Sequence, residues 1–256
     1  MRRRWTRWGW AIAATIAAGC LPTAPRYNPF KVTEPEIRQK VKRVALFPVG
    51  LPTDLDDPEP VKAKFEALIE AKLKEGGFVP VPSQELDAVW KRMKEQLGGF
   101  FDPITGKRDE AKFKTAREHA LRELQAKTKA DAVLYPSIQF IKVNFFSNQA
   151  TWHGTSESLL TGGFWGNFLT GQRSGTTTAL SLYVTVEDIN GVDMYVNVGG
   201  IQLAYKLSGS TFVAVPRPEL FVDEQRNQAA VNAALNPFIG KVDLPKPAGP
   251  PSERDN

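Results

Sequence analysis

The chain has 256 residues, 42% of them hydrophobic and 24% charged, enough for a single core without disulfide or metal staples. One cysteine, Cys20, and two histidines exclude a disulfide scaffold and a cysteine- or histidine-rich zinc site. The formal charge of +5 suggests nucleic acid, but Arg2, Arg3, Arg4 and Arg7 all precede Cys20, and without these four of the 33 basic residues, 29 stand against 28 acidic ones.

Met1–Trp8 is a basic leader, and Trp10–Ala18 is an apolar run of about nine residues, too short for a bilayer span of about 20. Ala17, Ala18 and Gly19 then lead to Cys20. This pattern resembles the lipobox of bacterial lipoproteins, with Ala17 where that family usually has Leu and Ile16 one step earlier. The resemblance implies a signal peptide over 1–19, cleavage before Cys20 and a diacylglyceryl group on its sulfur. Ordinary signal cleavage, releasing a soluble protein, is the alternative. Leu21, where an Asp would favour inner-membrane retention, implies the outer membrane. The bilayer is then the first partner, reached through acylated Cys20. Three prolines in Leu21–Pro29 read as an extended tether, taken to residue 40.

A single domain is expected over 41–240. Val41–Phe47 reads as a buried strand stopped by Pro48. An acidic loop then opens a helix with Pro60 in its first turn, Val61, Phe65, Leu68, Ile69 and Leu73 at helical spacing, and Gly76-Gly77 at its end. Phe78–Val81 is a second strand. Ser83 reads as the cap of a helix carrying Leu86, Val89, Trp90, Met93 and Leu97. Gly98–Arg108 breaks into a loop with Phe100 and Phe101. A third helix places Phe113, Ala116, Ala120, Leu121 and Leu124 on one face. Ala130–Pro136 leads into a long strand over Ile138–Phe145. Alternating strands and helices predict an α/β fold with parallel pairing.

The second half turns to β: Gln149–Ser158 and Thr177–Leu207 are strand-like, with Asn190-Gly191 as a hairpin turn. A C-terminal helix over Asp223–Leu235 packs back through Ala230, Val231, Ala234 and Leu235. The expected fold is therefore a mixed sheet packed by helices, with a β-α-β-α-α-β start, an antiparallel hairpin and a final helix. Residues 241–256 are proline-rich, polar and expected to be disordered.

In this order, Val44–Pro48, Glu75–Val79, Pro82–Leu86 and Ala130–Tyr135 resemble the superfamily of the curli secretion channel, the penicillin-binding-protein activator lipoproteins and the amino-terminal domain of the Tol translocation protein. The resemblance covers about residues 41–207. It implies non-enzymatic envelope work through an envelope protein partner: binding, assembly or secretion support. An oligomeric secretion-channel component, and so a homo-oligomer, is its alternative.

The most unusual stretch is Leu159–Gly171, which sets Phe164, Trp165, Phe168 and Leu169 in a glycine-rich connection. Exposed aromatics in loops mark partner or membrane contacts, and aromatics folded back on the core are the plain alternative. The segment is too short for two barrel strands of about 9–11 residues each. Gly99–Lys107 has the outline of a phosphate loop, but Phe101 and Arg108 stand where glycine and Ser/Thr are needed. His119, beside Glu118 on a helix, and His153, read on a strand, lack ligand-spaced partners. His153 with Ser156 and Glu157 is the least implausible set for a hydrolase, without a nucleophile elbow. Lys112, Lys114, Arg117 and Arg122 alternate with Glu110, Glu118 and Glu123, a solvated helix face. No catalytic, cofactor or metal residues are expected.

Overall fold

The computed structural model describes residues 27–53, 55, 58–102, 104–160 and 173–240. Cys20, the leader and the residues beyond 240 lie outside that set, as do Phe164, Trp165, Phe168 and Leu169.

The fold is α/β with a mixed sheet, as the pattern predicts. Strand β1 (Arg43–Leu46) lies between β2 (Val79–Val81) and β3 (Ala132–Phe146), parallel to both. Val44, Ala45 and Leu46 are all buried, because helices cover both faces here; hence the unbroken apolar run. Crossover β1→β2 is made by α2 (Pro58–Glu75), and β2→β3 by α3 (Ser83–Gln96) and α4 (Glu110–Thr128). β6 (Gly175–Asp188) pairs antiparallel along β3, and β7 (Asp193–Leu203) along β6. The expected turn joins them: Asp188 accepts from the Asn190 and Val192 amides, and Gly191 takes a positive φ.

One face of the sheet is covered by α2 and by the last helix, α5 (Glu224–Leu235), which buries Ala230, Val231, Ala234 and Leu235 as expected. Asp223 caps it by accepting from the Gln225 and Arg226 amides. The other face is covered by α3 and α4, through Leu86, Leu121 and Leu124 on Ala45, Val81 and Val133.

Beyond the end of β1, the lower half of β3 carries the hairpin β4 (Gln149–Trp152) and β5 (Thr155–Ser158). That hairpin rolls across the second face until its tip meets the free edge of β7, where Gly200 N donates to His153 O at 3.0 Å. The roll encloses a second core of Val143, Phe145, Ala150, Trp152, Leu159, Ala179, Leu203 and Leu207. A small antiparallel hairpin, β8 (Tyr205–Ser208) and β9 (Thr211–Ala214), closes its lower end, with Phe212 edge-on to Phe145.

Four expectations need correction. The folded unit does not wait for residue 41. Phe30 bridges to Tyr195, and a helix, α1 (Glu34–Lys40), buries Ile37 completely. Ser83 does not cap α3; Pro82 holds that position, and Ser83 Oγ donates to Glu66 Oε2 at 2.6 Å. The long strand begins not at Ile138 but at Ala132, and Pro136 lies within it. Its missing amide faces the side where β1 has ended, and its carbonyl still accepts from Gly50 N at 3.0 Å. His153 is not on a strand but at the β4–β5 turn, with Gly154, both at positive φ.

Candidate binding pocket

The hydrolase set does not assemble. His153 Nδ1 lies 3.0 Å from Ser181 Oγ, but Ser181 is 0% exposed within the sheet, so no substrate carbonyl reaches it. Ser156 Oγ instead accepts from Gln149 Nε2 at 2.7 Å. Glu157 turns inward: Leu203 N donates to its Oε2 at 2.7 Å, while Lys206 Nζ and Arg226 Nη1 stand 2.7 and 2.5 Å from Oε1. Partial burial alone holds the His153 imidazole below its usual range. His119 is exposed on α4.

The Gly98–Arg108 loop is an Asp102-centred turn. The Asp102 carboxylate accepts from the Ile104 and Thr105 amides, and these bonds lower its pKa. A carboxylate thus takes up the amides a phosphate would need. Phe100 turns inward, 5.1 Å from Trp90 and 5.8 Å from Phe113 between ring centroids, whereas Phe101 is exposed.

Trp90 and Phe113, with Phe100 packed behind them, form one wall of a pocket of about 300 Å³ between α3, α4 and the sheet. Phe47, just past β1, and Tyr135, just past the β1–β3 pairing, form its floor, with Leu86, Trp90, Phe113 and Arg117 around them. It therefore opens at the carboxyl ends of the parallel strands, where α/β sheets commonly bind ligands. Phe47 meets Trp90 at 5.8 Å and Tyr135 at 5.3 Å, so the walls support one another.

Arg117 does not belong to a solvated face. It turns inward, ion-pairs with Glu187 and lies 5.9 Å over the Tyr135 ring. Burial pushes the Tyr135 phenol up, while Arg117 acts in the opposite direction. The other α4 cations do behave as a solvated face: Arg122, for example, pairs with Glu118. With its one cation already neutralised, the pocket suits an uncharged apolar or aromatic group carrying an acceptor for the guanidinium or the phenol. Sequence reading missed it because Trp90 and Phe113 fit core positions of two amphipathic helices. The available signal was the aromatic flanking of a loop: Trp90, Phe100 and Phe113.

The stretch 161–172 joins two ends that lie close to the β3–β4 turn and the β8–β9 hairpin. Leu207 N donates to Leu159 O, and Asn148 N to Arg173 O at 3.0 Å. Among the described residues no group of His, Cys, Asp and Glu could hold a metal ion, and no helix is long and apolar enough to cross a membrane. A scan against family models and a search of curated proteins returned no match to the chain.

Proposed function

We propose that the protein is an envelope lipoprotein, tethered to the outer membrane by acylated Cys20, that acts by binding an envelope protein rather than by catalysis. The observation supporting binding is the preformed pocket, with aromatic walls, a neutralised arginine and no nucleophile within it. The leader and Cys20 support the location, and the order of elements supports kinship with envelope assembly and secretion lipoproteins. The apolar group accepted is a side chain of the partner, since about 300 Å³ suits one indole or phenyl ring, not a dinucleotide. Phe164, Trp165, Phe168 and Leu169 supply a second contact in this reading.

In-cell cross-linking is expected to give one discrete envelope adduct. Ala120→Trp, which fills the pocket from α4, is expected to lower its yield about tenfold with the melting temperature held, as loss of one buried anchor does. Phe164→Ala with Trp165→Ala tests the second contact in the same assay. An undiminished adduct in both variants would contradict the binding reading.

A further inference from the structure

We infer that the pocket between α3 and α4 takes Phe101 of a second copy of this chain, and gives its own Phe101 in return, across a two-fold axis. The inference rests on the reading of the pocket as a receptor for one ring, and names the ring's owner.

The projecting ring is the first argument. Phe101 bridges to Arg108 across the Gly98–Arg108 loop, and side chains alternate along so extended a stretch. Phe100 therefore turns in, 4% exposed behind the Trp90–Phe113 wall, and Phe101 turns out, 62% exposed. The loop is already ordered. Asp102 N donates to Lys107 O at 2.8 Å, Gly106 N to Asp102 O at 2.9 Å and Asp109 N to Phe100 O at 2.8 Å, while the Asp102 carboxylate holds the Ile104 and Thr105 amides. A ring presented on so fixed a turn loses little freedom on burial. Ile104, 92% exposed, extends the apolar projection.

The hollow beside it is the second argument. Phe47, Trp90, Phe113 and Tyr135 supply ring faces and edges for a phenyl group, and about 300 Å³ holds one. Arg108, the bridge partner of Phe101, lies over the Phe113 ring at 4.4 Å, so projection and hollow stand side by side. That adjacency suits an isologous contact, in which knob meets hollow and hollow meets knob. Charge permits the approach. Residues 83–124, which form α3, the loop and most of α4, hold nine basic and eight acidic residues, and Lys91–Asp87, Arg92–Glu123 and Arg108–Glu110 pair within the chain. Two such faces meet with little net repulsion.

The test is sedimentation of the full chain in density-matched detergent, with Phe101→Ser, which removes the projection, and Ala120→Trp, which fills the hollow. The parent is expected to be a dimer. Each variant alone is expected to weaken dimerisation about a hundredfold, because every dimer loses two buried anchors. The two variants mixed are expected to regain about tenfold, as Phe101 of one chain enters the empty hollow of the other. Phe101 is exposed, so its serine variant keeps the parent's melting temperature; Ala120→Leu replaces Ala120→Trp should the larger ring lower it. A parent that stays monomeric, a dimer indifferent to either substitution, or a mixture no tighter than its components would each overturn the inference. The pocket's role as a receptor falls separately, if the in-cell adduct survives Ala120→Trp.

Discussion

Replacing Gly199 by alanine is expected to destabilise the domain by about 3 kcal/mol or more, read as a large fall in the guanidinium midpoint with unchanged slope. A β-carbon at 199 would sit 2.0 Å from the Ala230 carbonyl oxygen and 2.8 Å from its carbon, both backbone atoms of α5. No rotamer relieves such a contact, so α5 must lift from the sheet, opening the packing of Ala230, Val231 and Ala234. Gly200 performs the same service on the opposite face, where a β-carbon would meet Thr155 and Trp152 at 2.8 Å. Two consecutive glycines thus let β7 be approached by a helix above and by the rolled hairpin below. Just beyond them the β6–β7 register shifts, with Leu180 opposite Gln202 and Ser181 opposite Gly200. An alanine variant within about 0.5 kcal/mol of the parent would mean that α5 does not cross β7 at this distance.

Glu157→Ala should cost about 2–3 kcal/mol, and Glu157→Gln clearly less. The carboxylate is 4% exposed and serves three groups at once. Truncation leaves the Leu203 amide without its acceptor and two cations, Lys206 and Arg226, without their counter-charge. Those cations are partly exposed and keep some water, which limits the penalty; Arg226 also retains Asp223 at 3.1 Å. The glutamine carbonyl can still accept from Leu203, so the gap between the two variants measures the amide bond against the charge. Equal losses in urea titrations would show that charge alone matters here.

These two sites mark what was hard to read in the residues. Periodicity located α2, α4 and α5 and the buried run of β1, because each buries a stripe or a pair of faces wide enough to leave a pattern. It failed on α1, a two-turn helix with one buried residue, Ile37. The start of β3 read late, at Ile138 rather than Ala132, with Pro136 between the two; a proline's missing amide matters only if a partner strand faces it, and the end of β1 removes that partner. Arg117 read as a surface charge and Glu157 as one member of a hydrolase set, since their counter-ions lie on elements distant in sequence: 49 and 69 residues separate Glu157 from Lys206 and Arg226, and Arg117 meets Glu187 across the sheet. The pocket was hidden for a related reason. Phe47, Trp90, Phe113 and Tyr135 each satisfy a local rule for core residues, and only the packing of two helices on one sheet end leaves a cavity among them.

The proposed acyl anchor at Cys20, on which the proposed location and partner access rest, is tested most directly by the intact mass of the native mature protein, taken from membranes in detergent. The expected result is a chain beginning at Cys20 with the mass of a diacylglyceryl group added, partitioning into the detergent phase. An unmodified chain with a different amino terminus, recovered in the aqueous phase, would contradict it.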